Sequence, residues 1–277
     1  MTIKTIAVDG NVLGRMAFNG SVGKLRNGVI YGMLLQLKAL AKRCDAQTKM
    51  VVCFDSRNNM RHTIDQSYKA HRTRDISDET RAELKDFWRQ MEIAIQCCRD
   101  VGFSVLKVAG YEADDLIALI VEAELENDSN NVIEIVSTDK DLYQLLKGQS
   151  VYMVSPVTKN EYTELDFILE YDITPEMWPS VKALCGDSGD NVIGVEGVGV
   201  KTAIKYVSGG KLSGKLLDKI HQAEAEERIE LNLRLVKLPF DMCDKMVVVN
   251  QACTPKIDVE AWNLMCMQQQ LPSLKIK

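Results

Sequence analysis

Histidine is scarce in this chain, aromatic residues are few, and no cysteine stands at metal-binding spacing from another. The 277 residues include three histidines, His62, His71 and His221, none beside a cysteine, and eight cysteines with no Cys-x-x-Cys pair. This argues against a zinc site. Most of the cysteines lie in apolar surroundings, as in Val-Val-Cys53-Phe and Ala-Leu-Cys185-Gly, which is the pattern of buried reduced thiols in an intracellular protein. Aromatics make up 6%, too few to suggest an all-β sandwich, so α/β or α packing on Leu, Ile, Val and Met is expected. No apolar run approaches membrane-spanning length. The N-terminus reaches Asp9 before a signal-peptide core could form, so a cytoplasmic protein is expected. Basic charge is lacking as well. The net charge is −5 and the pI about 5.4, whereas a simple nucleic-acid-binding module would be basic.

What is present is a regular alternation. Thr5-Ile-Ala-Val-Asp9, Met50-Val-Val-Cys-Phe-Asp55, Val101 to Val108 and Val132-Ile-Glu-Ile-Val136 read as buried strands. Helical patterns separate them, around Leu34 to Ala41, Leu84 to Cys97 and Leu116 to Leu125. This order predicts an α/β fold, a mostly parallel sheet with helices on both faces. Ligands of such sheets collect beyond the carboxyl ends of the strands, and Asp9, Asp55 and Asp139 lie at or just after those ends. Past about Tyr171 the alternation gives way to helical segments joined by a glycine-rich run. The division expected is therefore a core over residues 1–172, with a polar, basic arm at about 57–90, and a helical unit over 173–277.

Nine carboxylates stand out: Asp9, Asp55, Glu112, Asp114, Asp115, Asp139, Asp141, Asp187 and Asp190. Glu112 and Asp115 share a helix face, but Asp114 joins them only if the helix begins inside the motif and leaves Glu112 in the cap. If the fold gathers the set, repulsion is severe, because two like charges about 4 Å apart cost roughly 4 kcal/mol at an effective dielectric near 20. Such a cluster must hold protons or bind cations. Oxygen donors without histidine or cysteine select hard ions, Mg²⁺ or Mn²⁺. Set aside these nine, and the charge of the remainder turns positive, as a surface for a phosphate polymer would be.

Two further segments bear on that polymer. Ser67-Tyr68-Lys69-Ala-His71-Arg72 puts an aromatic beside two cations three residues apart. Gly194-Val-Glu-Gly197-Val-Gly199-Val-Lys201-Thr202 has the form of a helix–hairpin–helix, whose second helix offers backbone amides to a DNA phosphate without reading sequence. It is neither a P-loop, which needs glycine where Val200 stands, nor a dinucleotide fingerprint, which needs a third glycine.

Together these motifs make the chain resemble the 5′-nuclease superfamily of flap endonucleases and 5′–3′ exonucleases, in its compact bacteriophage and bacterial forms. The resemblance runs from Val8-Asp9-Gly10 to about Leu238-Pro239. It implies a PIN-like nuclease core with a helical arch and a helix–three-turn–helix element. It implies a first metal held by Asp9, Asp55, Glu112 and Asp114, and a second by Asp139, Asp141 and Asp187, with Asp115 and Asp190 bridging or acting through water. Lys69 and Arg72 would steady the scissile phosphate, Tyr68 would stack near the cut, and Gly197, Gly199, Lys201 and Thr202 would contact DNA. A K⁺ ion near the carbonyls of Val195 and Val198 is also implied. The activity expected is two-metal hydrolysis, Mg²⁺-dependent with Mn²⁺ as a substitute, on DNA with 5′ ends, flaps or branches, RNA primers being a further candidate. A monomer without membrane contact, in a bacterial or phage-infected cell, completes the expectation. Two rivals remain: a haloacid-dehalogenase-like phosphatase, in which Asn11 stands where a general acid is needed, and a non-catalytic branched-DNA-binding protein.

Overall fold

The structure, a computed structural model, describes residues 4–21, 26–70 and 77–276. Its sheet has six strands: β1 (Lys4–Asp9), β2 (Thr48–Cys53), β3 (Val105–Leu106), β4 (Val132–Val136), β5 (Val151–Val154) and β6 (Glu161–Tyr162). Their order is β3-β2-β1-β4-β5-β6, with every pairing parallel except that of β5 with β6.

Period-two alternation explains how both faces come to be covered. Ile6 and Val8 of β1, with Met50 and Val52 of β2, point into one apolar core. That core is completed by α1 (Gly10–Ser21), α2 (Gly28–Ala41), α3 (Asp78–Asp100) and α10 (Val259–Gln268), the last contributing Trp262, Met265 and Cys266. Ala7, Val51 and Cys53, with Ile133 and Ile135 of β4, point the other way. There they meet α4 (Ala113–Asn127), α5 (Glu164–Tyr171) and α6 (Trp178–Cys185). Glu134 of β4 is fully buried and is neutralised by Lys4 at 2.7 Å and Arg43 at 2.8 Å.

The third strand is shorter than its sequence suggests. Val101 caps α3, and Gly102 turns the chain with φ +95°, so extended structure begins only at Val105. Beyond α6 a small hairpin, β7 (Gly186–Asp187) with β8 (Val192–Ile193), leads through a turn to α7 (Val200–Val207), then α8 (Gly214–Ile220) and α9 (Ala223–Val236). In that turn Val195 donates to the Leu184 carbonyl at 2.8 Å and Val198 to the Val195 carbonyl at 3.0 Å. Gly197 carries φ +80°, a value that glycine alone adopts at no steric cost. No helix among the described residues is long and apolar enough to cross a membrane.

Candidate active site

The carboxyl ends of the parallel strands open onto a cavity of about 530 Å³. Seven carboxylates line it, Asp9, Asp55, Asp114, Asp139, Asp141, Asp187 and Asp190, together with Lys69 and Arg15. Each acid is placed by a local device. Asp9 ends β1, where its carboxylate accepts from the Val12 amide at 3.0 Å and the Ser137 hydroxyl at 2.8 Å. Gly10 follows because the Phe54 ring leaves no room for a Cβ there. Asp55, just past β2, accepts from the Ala113 amide at 2.8 Å, which satisfies an otherwise orphaned donor at the start of α4. Asp114 sits in the first turn of that helix, where its dipole favours an anion. Asp139 caps the short 3₁₀ turn Lys140–Leu145 through the Asp141 amide at 2.9 Å.

Crowding shows in the titration of these groups. Burial pushes Asp9 up to about 7, with the charges of Asp55 and Asp139 adding to the rise. Burial also drives Asp114 well above the usual carboxylate range, helped by Asp139, Asp9, Asp55 and Glu112. Asp141 is pushed up to about 6 by burial, against the pull of Lys182 at 2.7 Å. For Asp187 burial is outweighed by Lys182, which holds its pKa below normal. Lys69 is paired with Glu112 and lies 3.5 Å from Asp190. Burial disfavours its charge, yet Glu112, Asp190 and Asp55 more than compensate and keep the ammonium protonated. Two lysines thus each tie a pair of acids. Lys182 has no place in the expectations above, and its only sequence signal is a lone charge in the apolar helix Trp-Pro-Ser-Val-Lys182-Ala-Leu-Cys.

Raised carboxylates have a measurable consequence. An acid whose folded pKa exceeds its unfolded value loses stability as pH climbs between the two, because the unfolded chain releases its proton first. With a chelator present, the thermal midpoint is therefore expected to fall between pH 5 and pH 7.5. Asp9→Asn should flatten that slope, as followed by scanning calorimetry, and an identical slope in the variant would contradict the assignment.

The structure departs from the sequence expectations at four residues. Asp115 does not reach the cavity. It is fully buried, gripped by Arg61 at 2.6 and 2.8 Å, and it accepts from the Phe240 amide at 2.9 Å. A carboxylate with so many donors has little left for a metal ion. Arg61 is accordingly no surface cation of the arm but a buried one. Tyr68 is 3% exposed and its hydroxyl lies 3.1 Å from Glu112 and 2.9 Å from Asp190, so its ring has no open face for a base. Glu112 is the N-cap of α4, so the helix does begin inside the motif, but its carboxylate is shared by Tyr68, Lys69 and Arg61. It lines a neighbouring cleft rather than the acidic cavity itself. Arg72 lies outside the described residues, as does the arm from 71 to 76. At the hairpin, Gly199 caps α7, Lys201 is exposed and Thr202 half-buried.

The donor set suits a hard divalent ion, since no histidine or cysteine lines the cavity. Among the described residues no three acids already converge as closely as bound ligands do. Lys69 and Arg15 put positive charge on the walls, and Lys182 adds its own behind Asp141 and Asp187.

Comparison with known proteins identifies the family of the chain. Residues 4–172 match the 5′–3′ exonuclease N-terminal resolvase-like domain, and residues 173–270 the 5′–3′ exonuclease C-terminal SAM fold. A 5′–3′ exonuclease of Aquifex aeolicus is 32% identical over 220 residues, covering 77% of this chain and 72% of that protein. The thermostable DNA polymerase I of Thermus thermophilus is 32% identical over 219 residues, covering 77% of this chain and 24% of the polymerase. The chain thus spans about a quarter of the polymerase relatives it matches. The structure of T5 5′-exonuclease with bound divalent metal ions (zinc) superposes with a TM-score of 0.72 at 25% identity, covering 98% of each chain. By sequence and by fold, this chain belongs to the 5′–3′ exonuclease family.

Proposed function

We propose that the chain is a structure-specific 5′ nuclease, Mg²⁺-dependent, that hydrolyses phosphodiester bonds in 5′-flap or 5′-ended branched DNA as both exonuclease and flap endonuclease. The observation that carries this reading is the single cavity where seven acids from separate segments meet the Lys69 ammonium. The metal ions in the T5 relative support it. Asp9, Asp55 and Asp114 would hold one ion, with Glu112 positioning Lys69 beside it; Asp139, Asp141 and Asp187 would hold a second, with Asp190 acting through water. Ions bound there would supply a water of lowered pKa and neutralise charge on the oxygens of the scissile phosphate. Lys69, positioned by Glu112 and Asp190, donates to the phosphoryl oxygens, and Arg72 is its proposed partner. The amides at the start of α7, with Gly197, Gly199, Lys201 and Thr202, bind the duplex backbone, and K⁺ is proposed at the Val195 and Val198 carbonyls. The core would end near residue 172. The enzyme would act as a monomer, with RNA primers as an additional substrate.

One gel tests the central claim. A duplex with a labelled 5′ flap is expected to release the flap with Mg²⁺ and to stay intact with EDTA. An uncut flap at every Mg²⁺ and Mn²⁺ concentration would refute it.

A further inference from the structure

We propose that Trp88 is the residue on which a base of the unpaired 5′ strand stacks as that strand passes between the acidic cavity and the basic cleft beside it. This inference rests on the nuclease reading above and assigns to Trp88 the place that Tyr68, being buried, cannot fill.

Three observations carry it. First, Trp88 is 46% exposed, and among the described residues it is the single exposed Phe, Tyr or Trp. Its exposure leaves a large flat π face that a base can meet. Secondly, it stands at a junction. Trp88, Asp55 and Lys69 line both the acidic cavity and an adjoining cleft of about 870 Å³. That cleft also carries Arg57, Lys85, Arg89 and Lys107, so its cations outnumber its carboxylates. A strand whose scissile phosphate sits against the acids and Lys69 would leave along this positive channel, and its bases would pass the indole. Thirdly, the ring is pre-positioned. Phe87 meets it edge-on, with centroids 4.9 Å apart at 65°, and Phe87 is itself buried. The Arg15 guanidinium lies 4.2 Å over Phe87 and 5.8 Å from the Trp88 ring. A ring braced on one side and open on the other is a platform for a base, and the contact is sequence-tolerant because every base presents a π face.

The other two tryptophans, Trp178 and Trp262, are buried, so quenching of intrinsic fluorescence by DNA reports on Trp88. In EDTA, a short 5′-flap duplex is expected to quench the wild-type emission and to leave that of Trp88→Phe unchanged. In Mg²⁺, Trp88→Ala should raise KM for the flap roughly ten-fold, the loss of one stacked base, while Trp88→Phe stays within a few-fold of the parent. On a fully paired nicked duplex, binding by Trp88→Ala should be little altered. If the wild type cuts flaps but quenching persists in Trp88→Phe, or Trp88→Ala keeps its KM, the stacking role is wrong. An equal loss on flap and nicked duplex would make Trp88 a structural residue and overturn the proposal as well. A wild type that cuts no flap would sink the nuclease reading itself.

Discussion

Asp139→Asn and Asp141→Asn are each expected to slow 5′-flap cutting by roughly a thousandfold while leaving flap binding intact or slightly tighter. Asparagine preserves the size of the side chain and can still accept the Asp141 amide that Asp139 caps. Local structure should therefore survive, and what disappears is one negative charge. Losing it weakens the hold on a divalent ion, hence the rate, yet eases the approach of phosphates, hence the unchanged or improved affinity. The two effects have opposite signs, which separates a chemical defect from a folding defect. Single-turnover cleavage in Mg²⁺ and anisotropy titration in EDTA measure them independently. Full activity in both variants would remove the basis for the metal assignment.

Arg61→Met should be the most destabilising single change near the site, by about 3–5 kcal/mol. Arg61 is 1% exposed, and besides its two contacts with Asp115 it donates to the Leu235 carbonyl at 2.8 Å and lies 3.1 Å from Glu112. The Phe240 ring lies 4.9 Å from the guanidinium. Methionine fills much of the volume but strands a buried carboxylate, which must then take up a proton. A lysine cannot substitute, since one ammonium cannot serve Asp115 in bidentate fashion and reach Leu235 too. Asp115→Asn in the Arg61→Met background should recover part of the loss by removing the stranded charge. Urea unfolding of the three variants decides the matter, and a loss below about 1 kcal/mol would mean that the pair contributes no more than a surface salt bridge does.

The sheet was legible because its strands are buried on both faces and so read as unbroken β-branched runs. Val132–Val136 forms a strand with the bounds its sequence suggests, and Thr5–Asp9 starts one residue earlier, at Lys4. Val101 to Val108 misled because an apolar run does not reveal where a helix stops, and here Gly102 takes the chain out of α3 before extension begins. The short β5 and β6 carry too few residues to form a pattern. At the site, the acids were legible by position relative to strand ends and helix starts. Their partners were not. Asp114 and Asp115 are adjacent in sequence, yet one lines the cavity and the other faces Arg61, 54 residues earlier in the chain. A cation buried opposite one carboxylate is a long-range fact with no local trace. The same holds for Tyr68, whose ring packs against Val192, Leu235 and Val236 while Glu112 and Asp190 meet its hydroxyl, all distant in sequence.

The register of the parallel strands sets a gauge for the part of the pocket that the sheet supplies. Asp9 is in register with Cys53 on one side, and its neighbour Val8 with Val136 on the other. Adjacent strands repeat at about 4.8 Å, a distance fixed by peptide hydrogen bonds. The lateral offset between the ends of β1, β2 and β4, from which Asp9, Asp55 and Asp139 project, thus derives from a backbone ruler, whereas Asp114, Asp141, Asp187 and Asp190 are set by a helix, a 3₁₀ turn and the small hairpin. An aspartate-to-glutamate exchange would overshoot by one carbon–carbon bond, about 1.5 Å. Changing the span between Asp9, Asp55 and Asp139 would therefore mean altering strand register, while the other acids of the pocket can shift with their own helix, turn or hairpin.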